Sequence, residues 1–403
     1  MRDFFRRCTT ALIAQSIVVS LAVSGSNGQS RWTVTLLHPT DASGSKAQGV
    51  DGAQQVGDTV FQGVLSAGWW SGTASSWTSL NPEGMLFSFA FGVHDGQQVG
   101  SAYTNDFSPR ASLWHGTAAS WVNLNPIGAS QSGCYDVHDG QQVGYVVNGI
   151  FRASLWKGTA ASWVDLNPVG STLSQARGVH NGQQVGYARF DGVRHAGLWQ
   201  GTADSWVDLH PAGAAASNAW GIYMNTQVGD VAGHAALWTG SAESWVDLHP
   251  APATDSFAES VHGDFQVGKA QVAGRYRASL WKGPAESWED LSQALTGSWD
   301  QTFAQSVWSD ATTLYVAGYG MNMDTRLQMA ILWTRPISQC IADITGDNVV
   351  NVADLLALIS AWGPCKDPNN CPSDIDPVTA PSGNGLVNVG DLLMVISGWG
   401  QCG

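Results

Sequence analysis

The chain has 403 residues, a formal net charge of −14 and only 12% charged residues, against about 25% in an average soluble protein. This acidic balance excludes a protein that grips nucleic acid, whose phosphates need clustered Lys and Arg, and disfavours attachment to anionic membranes. Low charge combined with 47 Gly describes a chain of many tight turns and few solvated helix surfaces.

Residues 1–24 read as a secretory signal peptide. Arg2, Arg6 and Arg7 precede an apolar run from Ala11 to Val23, and Ala22-Val23-Ser24 offers a cleavage site. The run is too short for a spanning helix, which needs about 20 residues, and no other segment suits one. The expectation is a secreted, extracellular protein, free or held at a cell surface, in a compartment where paired cysteines bridge.

Residues 30–335 are an array. Trp pairs seven apart recur as Trp70/Trp77, Trp114/Trp121, Trp156/Trp163, Trp199/Trp206, Trp238/Trp245 and Trp281/Trp288, with a half-copy at Trp333. A period of about 40–45 residues marks a repeat architecture. One unit shows its parts clearly. A strand ends at His180, Asn181-Gly182 turns, Gln183–Ala188 returns, Asp191-Gly192 turns again, His195–Trp199 is a third strand and Ser205–Leu209 a fourth, stopped by Pro211. Asp95-Gly96, Asp139-Gly140 and Asp51-Gly52 repeat the first turn, and Asn225-Thr226 and Gly263-Asp264 keep its spacing. Four strands per unit and about seven units predict an all-β, seven-bladed β-propeller. Thr35–Pro39 resembles Leu209-His210-Pro211, so the N-terminal strand is expected to complete the last blade, which lacks its own fourth strand. A β-solenoid is the alternative, but it gives no reason for one end to supply what the other lacks.

The array holds several candidate functional groups. The repeated Trp residues are expected to pack between blades, which leaves Trp69, Trp220, Trp299 and Trp308 as candidates for an exposed binding face. Arg110, Arg152, His195, His234 and Arg277 share one register; they either face an anionic glycan or, the preferred reading, pair with acids such as Asp165, Asp208 and Asp247. His94, His138, His180 and His262 share a hairpin position and would meet only if they line the channel. Asp136, Glu259 and Asp310 are candidates for a converging carboxylate pair, as glycoside hydrolysis requires. Cys134 stands alone and reads as a buried free thiol.

The strings His195-Ala196-Gly197-Leu198-Trp199, His234-Ala235-Ala236-Leu237-Trp238 and Gly178-Val179-His180-Asn181-Gly182-Gln183-Gln184-Val185-Gly186 resemble the HAF-type extracellular repeats, with Gly, Ala or Ser where that family carries Phe. The resemblance implies a propeller-like secreted domain and no particular activity.

Residues 340–403 form a second unit. Asp343–Asp354 is a twelve-residue acidic loop followed by an apolar helix from Leu355 to Trp362. Calcium takes oxygens from spaced positions of such a loop. That assigns Asp343, Thr345, Asp347, Asp354, the carbonyl of Val349, and Asn351 through water. A loop ending in Asp before Leu-Leu resembles type I dockerin repeats, and a second copy fits: Asp374, Asp376, Asn384, the carbonyl of Leu386, Asn388 and Asp391. The second loop is longer and carries Asn at its fifth position, so weaker Ca2+ binding is expected there. The resemblance implies a cohesin-like partner, although Val352-Ala353 and Val389-Gly390 are small and apolar where such modules carry hydroxyls; a cell-surface protein is the other partner. Cys340, Cys365, Cys371 and Cys402 allow three pairings. Antiparallel helices would favour Cys340–Cys402 and Cys365–Cys371. A zinc site is disfavoured by the spacing.

Together these features predict a secreted, non-catalytic binding or scaffold protein. Its propeller presents a glycan- or protein-binding face, and its calcium-binding tail mediates attachment. The rival reading is an extracellular polysaccharide hydrolase or lyase.

Overall fold

Two-residue turns set the architecture. Asn181 and Gly182 both have positive φ, 47° and 79°, the geometry that matches the twist of a hairpin. Each such hairpin starts a blade. The computed structural model describes residues 32–337, 342–345, 349–365, 371, 373–375 and 386–401. The leader segment and Cys340, Asp347, Asp376, Asn384 and Cys402 lie outside the described residues.

Seven antiparallel four-stranded sheets form a propeller ring. Their innermost strands, which define blades I to VII, are Gly44–Asp51, Phe87–His94, Gln131–His138, Ser174–His180, Ser217–Tyr223, Ala253–His262 and Trp299–Ser309. Blade VII is built as the array implies. Thr33–Leu36 pairs antiparallel with Leu327–Pro336 and supplies its outermost strand.

Three local readings need correction. The fourth strand is only two residues long, as at Val207–Asp208, because Ala203–Ser205 forms a 3-10 turn capped by Thr202. In blade I the turn residues are Gly52-Ala53, leaving Asp51 on the strand. In blade V the turn is Met224-Asn225, with Met224 at φ 50°.

The first Trp of each pair is fully buried in every blade. Trp199 of blade IV packs on Val143, Leu155 and Leu166 of blade III, so the repeated indoles do fill the spaces between blades. Burying an aromatic side chain of this size contributes roughly 4–6 kcal/mol by area. Trp70, Trp114, Trp156, Trp199, Trp238 and Trp281 leave their indole N–H without an acceptor, at about 1–3 kcal/mol each. The apolar gain wins. The second Trp is half-buried, and Trp121, Trp163 and Trp288 donate to Ser112, Ser154 and Ser279. Cys134, buried and free, fills a core position that is Ala in the other blades.

Polar stitches complete the ring. The short fourth strand leaves one third-strand N–H unpaired, and a buried hydroxyl from the next blade accepts it. Ser88, Ser132, Ser174, Ser217, Ser256 and Thr302 take the amides of Ala67, Ala111, Ala153, Ala196, Ala235 and Ala278 at 2.8–3.0 Å. Ser45 closes the circle on Ala330 at 2.9 Å. The second Gln of each Gln-Gln-Val-Gly string holds the loop after the buried Trp, as Gln142 accepts from the Gly158 amide at 2.7 Å.

The C-terminal unit has two helices, α1 (Val352–Ser360) and α2 (Val389–Ser397). Short strands exchange partners between its halves: Val349–Val350 pairs with Gly400–Gln401, and Gly363–Pro364 with Leu386–Val387. Val350, Leu358, Val387 and Val395 form its buried core. Cys365 and Cys371 form a disulfide. Among the described residues no helix is long and apolar enough to cross a membrane.

Deleting Thr33–Leu36 opens the ring between blades VII and I. The expected result is a fall in melting temperature of at least ten degrees, since several kcal/mol of pairing and burial are lost. A melting curve within two degrees of the parent would show that the ring does not depend on this strand.

Candidate functional site

The channel is lined by the innermost strands, and each of them carries a register shift at the same point. A bulge leaves one residue unpaired and re-aims its side chain. Here the seven bulge residues are Gln48, Phe91, Tyr135, Arg177, Trp220, Glu259 and Gln305, and all of them line one axial cavity of about 410 Å³. The next residue lies where neighbouring blades nearly touch. A Cβ at Gly92 would stand 2.8 Å from the Cα of Asp136, and one at Gly49 2.6 Å from the Phe91 carbonyl. That crowding is why Gly occupies four of these places.

At the mouth, the last inner-strand residues form a belt: Asp51, His94, His138, His180, Tyr223, His262 and Trp308. Their rings stack in sequence. Centroids lie 4.2 Å apart for His94–His138, 4.1 Å for His138–His180, 4.7 Å for His180–Tyr223 and 4.3 Å for Tyr223–His262. The four histidines of the repeat therefore do converge. Backbone amides of the next blade fix their tautomers. Asn181, Met224 and Ser309 donate to Nδ1 of His138, His180 and His262. An amide only donates, so the neutral ring keeps its proton on Nε2. Burial lowers the proton affinity of all three; the neighbouring histidines lower it further, and His180 falls to about 4. At neutral pH these three rings are uncharged.

Arg177 lies below the belt. Its guanidinium sits 3.9 Å over the Tyr135 ring, 5.0 Å from Trp220 and 5.9 Å from Tyr187. Its Nε is buried and has no hydrogen-bond partner. Trp220 is held edge-on by its N–H bond to Asp230 at 2.9 Å, which leaves its face to the cation.

Two of the three predicted carboxylates reach the channel, and both are engaged by neighbours. Asp136 lines the cavity, but its oxygens accept the Val137 and Val179 amides at 2.9 Å, a stitch between blades III and IV that Ser260 and Ser306 make elsewhere. Glu259 also lines the cavity and is ion-paired with Lys269 at 2.6 Å. Asp310 lies on an exposed turn and accepts from Thr312 and Thr313. Burial pushes Asp58, Asp136 and Asp230 up to about 6 each. Of the predicted cation–acid pairs, Arg152–Asp165, His195–Asp208 and His234–Asp247 form at 2.8–3.0 Å. Arg110 instead donates to the Ser130 carbonyl, because Asn123 stands where the others have Asp. Trp220 and Trp308 line the cavity, whereas Trp69 and Trp299 bond to the carbonyls of Gly116 and Thr296. Arg177, Tyr135, Asp51 and Tyr223 were not singled out in the sequence; the signal that finds them is their fixed offset from the Gln-Gln-Val-Gly string.

In the tail, Asp354 is fully buried. Its Oδ1 accepts the Thr345 amide and hydroxyl, both at 2.9 Å, and its Oδ2 accepts the Asn351 amide at 2.8 Å. Asp391 repeats this with the amides of Ile375 and Asn388. The Asn351 and Asn388 side chains bond to the Val349 and Leu386 carbonyls. In each half a buried aspartate thus ties Thr345 or Ile375, near the start of its loop, to the amide at the start of the helix. Asp343 and Asp374 lie in these same turns. Cys365, Cys371 and Asp374 also cluster, but the two sulfurs are bonded to each other, which leaves no thiolate for a metal.

No family model matches the chain, and no curated protein does either. Among solved structures it is similar to an oligogalacturonate lyase from Vibrio parahaemolyticus at 10% identity, covering 76% of this chain and 94% of that one with a TM-score of 0.49. A further similarity is to an oligogalacturonate lyase in complex with manganese, at 10% identity over 76% and 93% of the two chains and a TM-score of 0.47. A third is to puromycin hydrolase, at 12% identity and a TM-score of 0.47 over 73% of this chain; the match spans about half of that protein, 56% of its length.

Asp58, buried on the second strand of blade I, gives a test of the electrostatics of the propeller wall. Its folded-state proton affinity is raised, first by burial and against the pull of Lys46 and Gln48. The folded chain therefore binds more protons than the unfolded one between pH 4 and 6, and stability is lost as pH rises through about 6. Asp58→Asn is expected to be more stable than the parent at pH 8, by on the order of 2 kcal/mol at most, with the difference shrinking or reversing at pH 4. Denaturant melts at the two pH values decide; a gain independent of pH would remove the electrostatic explanation.

Proposed function

We propose that the protein is a secreted binding protein whose propeller channel takes a saccharide bearing a carboxylate, and whose tail binds calcium and attaches the molecule to a partner. The composition of the cavity carries the channel reading. It offers aromatic faces (Phe91, Tyr135, Trp220 and Trp308), imidazole Nε2–H donors in the belt, and one cation, Arg177, whose Nε is left without a partner. Sugar rings stack on aromatic faces and offer hydroxyls to such donors, and a guanidinium fits a carboxylate in two-pronged fashion. The chain's net charge of −14 opposes long polyanions and favours a short or singly charged stretch.

The enzymatic reading, a polysaccharide hydrolase or lyase, has support in Asp136 and Asp230, which burial pushes up to about 6, a range suited to proton transfer. Both are committed to hydrogen bonds within the wall, which favours binding.

In the tail, an oxygen-only donor set suits a hard cation such as Ca2+. Asp343, Thr345, Asp347, Asn351, Asp354 and the Val349 carbonyl would hold one ion. Asp374, Asp376, Asn384, Asn388, Asp391 and the Leu386 carbonyl would hold a second, more weakly. Attachment is supported by the outer faces of the helices. Val352, Leu356, Ile359 and Trp362 on one half, and Val389, Leu393, Ile396 and Trp399 on the other, are each about half exposed. Apolar side chains grouped in this way mark a protein-binding surface.

Titration of galacturonate- and glucuronate-containing oligosaccharides, with their neutral counterparts beside them, tests the channel. The acidic sugars are expected to bind, and Arg177→Gln is expected to weaken them by on the order of tenfold or more while leaving the neutral series unchanged. Equal affinity in Arg177→Gln would overturn the reading, and release of shortened products would establish the enzyme instead.

The calcium assignment is tested by calorimetry on the full chain. Asp343→Ala combined with Asp354→Ala should remove the tighter of the binding events. An unchanged isotherm would place the ion elsewhere.

A further inference from the structure

The mouth belt contains a juxtaposition that the saccharide reading does not use. Asp139 is the first residue of the blade III turn, with φ 47°, and its carboxylate leans back over two belt histidines. Its Oδ1 lies 3.5 Å from Nε2 of His94, and its Oδ2 lies 3.4 Å from Nδ1 of His138. The ligand atoms of the three side chains all fall within 4.8 Å of one another. The Asn181 amide also reaches His138 Nδ1, at 3.5 Å, the outer limit of a hydrogen bond, so a cation at Nδ1 would take over the lone pair that this weak contact uses. Asp51 stands on the other side of the His94 ring: its Oδ2 lies 3.9 Å from His94 Nδ1 and accepts the Asp95 amide at 2.9 Å, while His94 Nε2 faces Asp139.

We infer that His94, His138 and Asp139 form a binding site for a borderline divalent transition metal of the Zn2+ class at the channel mouth. Two imidazoles and one carboxylate suit zinc, copper or nickel and do not suit calcium or magnesium, which prefer all-oxygen sites. The two measured nitrogen-to-oxygen spacings match the ~3.3 Å between neighbouring ligands on a tetrahedral ion with ~2.0–2.1 Å bonds. The third spacing, between the two imidazole nitrogens, lies within 4.8 Å, and the Asp139 side chain that completes the set is 64% exposed. Asp51 acts as the carboxylate behind a metal-bound histidine, which fixes ring orientation. Three protein ligands leave a coordination position open towards the channel, the arrangement of sites that hold an exchangeable ligand. This site is independent of the saccharide reading, because it is assayed without sugar.

The test is calorimetric titration of ZnCl2 into the full chain, free of any affinity tag and saturated with Ca2+ so that the tail is occupied. The parent is expected to bind one zinc ion with micromolar or tighter affinity. Asp139→Asn keeps a residue that tolerates the left-handed turn conformation, so folding is preserved while the anionic ligand is lost. Asp139→Asn and His94→Gln should each weaken zinc by at least the ~10-fold that loss of even an outer-sphere partner costs. His115→Gln, at an exposed position away from the belt, should leave it unchanged. Absorption bands of a Co2+-substituted sample should likewise disappear in the first two variants and persist in the third. The inference is overturned if the parent takes up no zinc at roughly 100 µM, which corresponds to less than about 5.5 kcal/mol of binding. It is equally overturned if Asp139→Asn and His94→Gln bind zinc as the parent does.

Discussion

The propeller depends on a hydroxyl in each gap between blades. A four-stranded blade whose outer strand is two residues long cannot satisfy every amide of its third strand. The amide of Ala153, one position beyond the last pair of Ser154 with Asp165, would be buried and unbonded, at a cost of about 1–3 kcal/mol. Ser174 of the next blade resolves it, and Asn167 in turn holds the Ser174 hydroxyl at 2.6 Å. The unit is therefore not self-sufficient. Each blade is completed by its successor, and the same bond, made by Ser45 to Ala330, makes closure part of the pattern. The buried indoles are the largest side chains of the core, but apolar packing alone would tolerate slippage between blades. The directional bonds set the register.

Much of this was legible in the sequence and some of it was not. The seven-unit ring, the closing strand, the interblade indoles and the buried Cys134 followed from spacing and hydrophobic pattern, which report burial directly. The length of the fourth strand was over-read, because Ser205-Trp206 in front of Val207 looks extended until the Thr202 cap is seen to bend it. The blade I turn was misplaced by one residue, because Asp51-Gly52 matches a hairpin dipeptide better than the Gly52-Ala53 that actually turns. That single slip hid Asp51 from the belt. The bulges left no trace in composition, since an unpaired residue can be of any type: Gln48, Phe91, Arg177 and Glu259 share no chemistry. Their equivalence is geometric, and in the sequence only their fixed offset from the Gln-Gln-Val-Gly string marks it.

That same indifference makes a functional centre possible. Positions between blades are restricted to Ala, Ser, Trp and Gly by contact on all sides. A bulge residue lines the axial cavity rather than the seam between blades, so its identity is freer to vary. Arg177 can thus stand among Tyr135, Tyr187 and Trp220, and the repeat loses its symmetry where a ligand would read it. The belt above is a compromise between the two regimes. His180 and His262 are tied to the next blade through Nδ1 and keep the stitching role, while the opposite nitrogen remains available at the mouth. Asp136 shows the limit of reasoning from residue type. It is a buried carboxylate in a channel, yet its oxygens do the work that a serine hydroxyl does in blades VI and VII.

The tail solves a different problem with the same device of duplication. Val350, Leu358, Val387 and Val395 already fill its small core, so the exposed Val352, Leu356, Ile359 and Trp362 are not needed to hold it together. Neither are their counterparts on α2. Fully covering such side chains is worth roughly 1.5–3 kcal/mol each, and leaving them in water forgoes that gain. A stripe this regular, at helical spacing and repeated on both halves, is the face of a helix turned away from its own core. The carboxylates of Asp354 and Asp391 fix the start of each helix through amide bonds on both sides. The aspartates that fix each helix start therefore also set the orientation of the apolar faces.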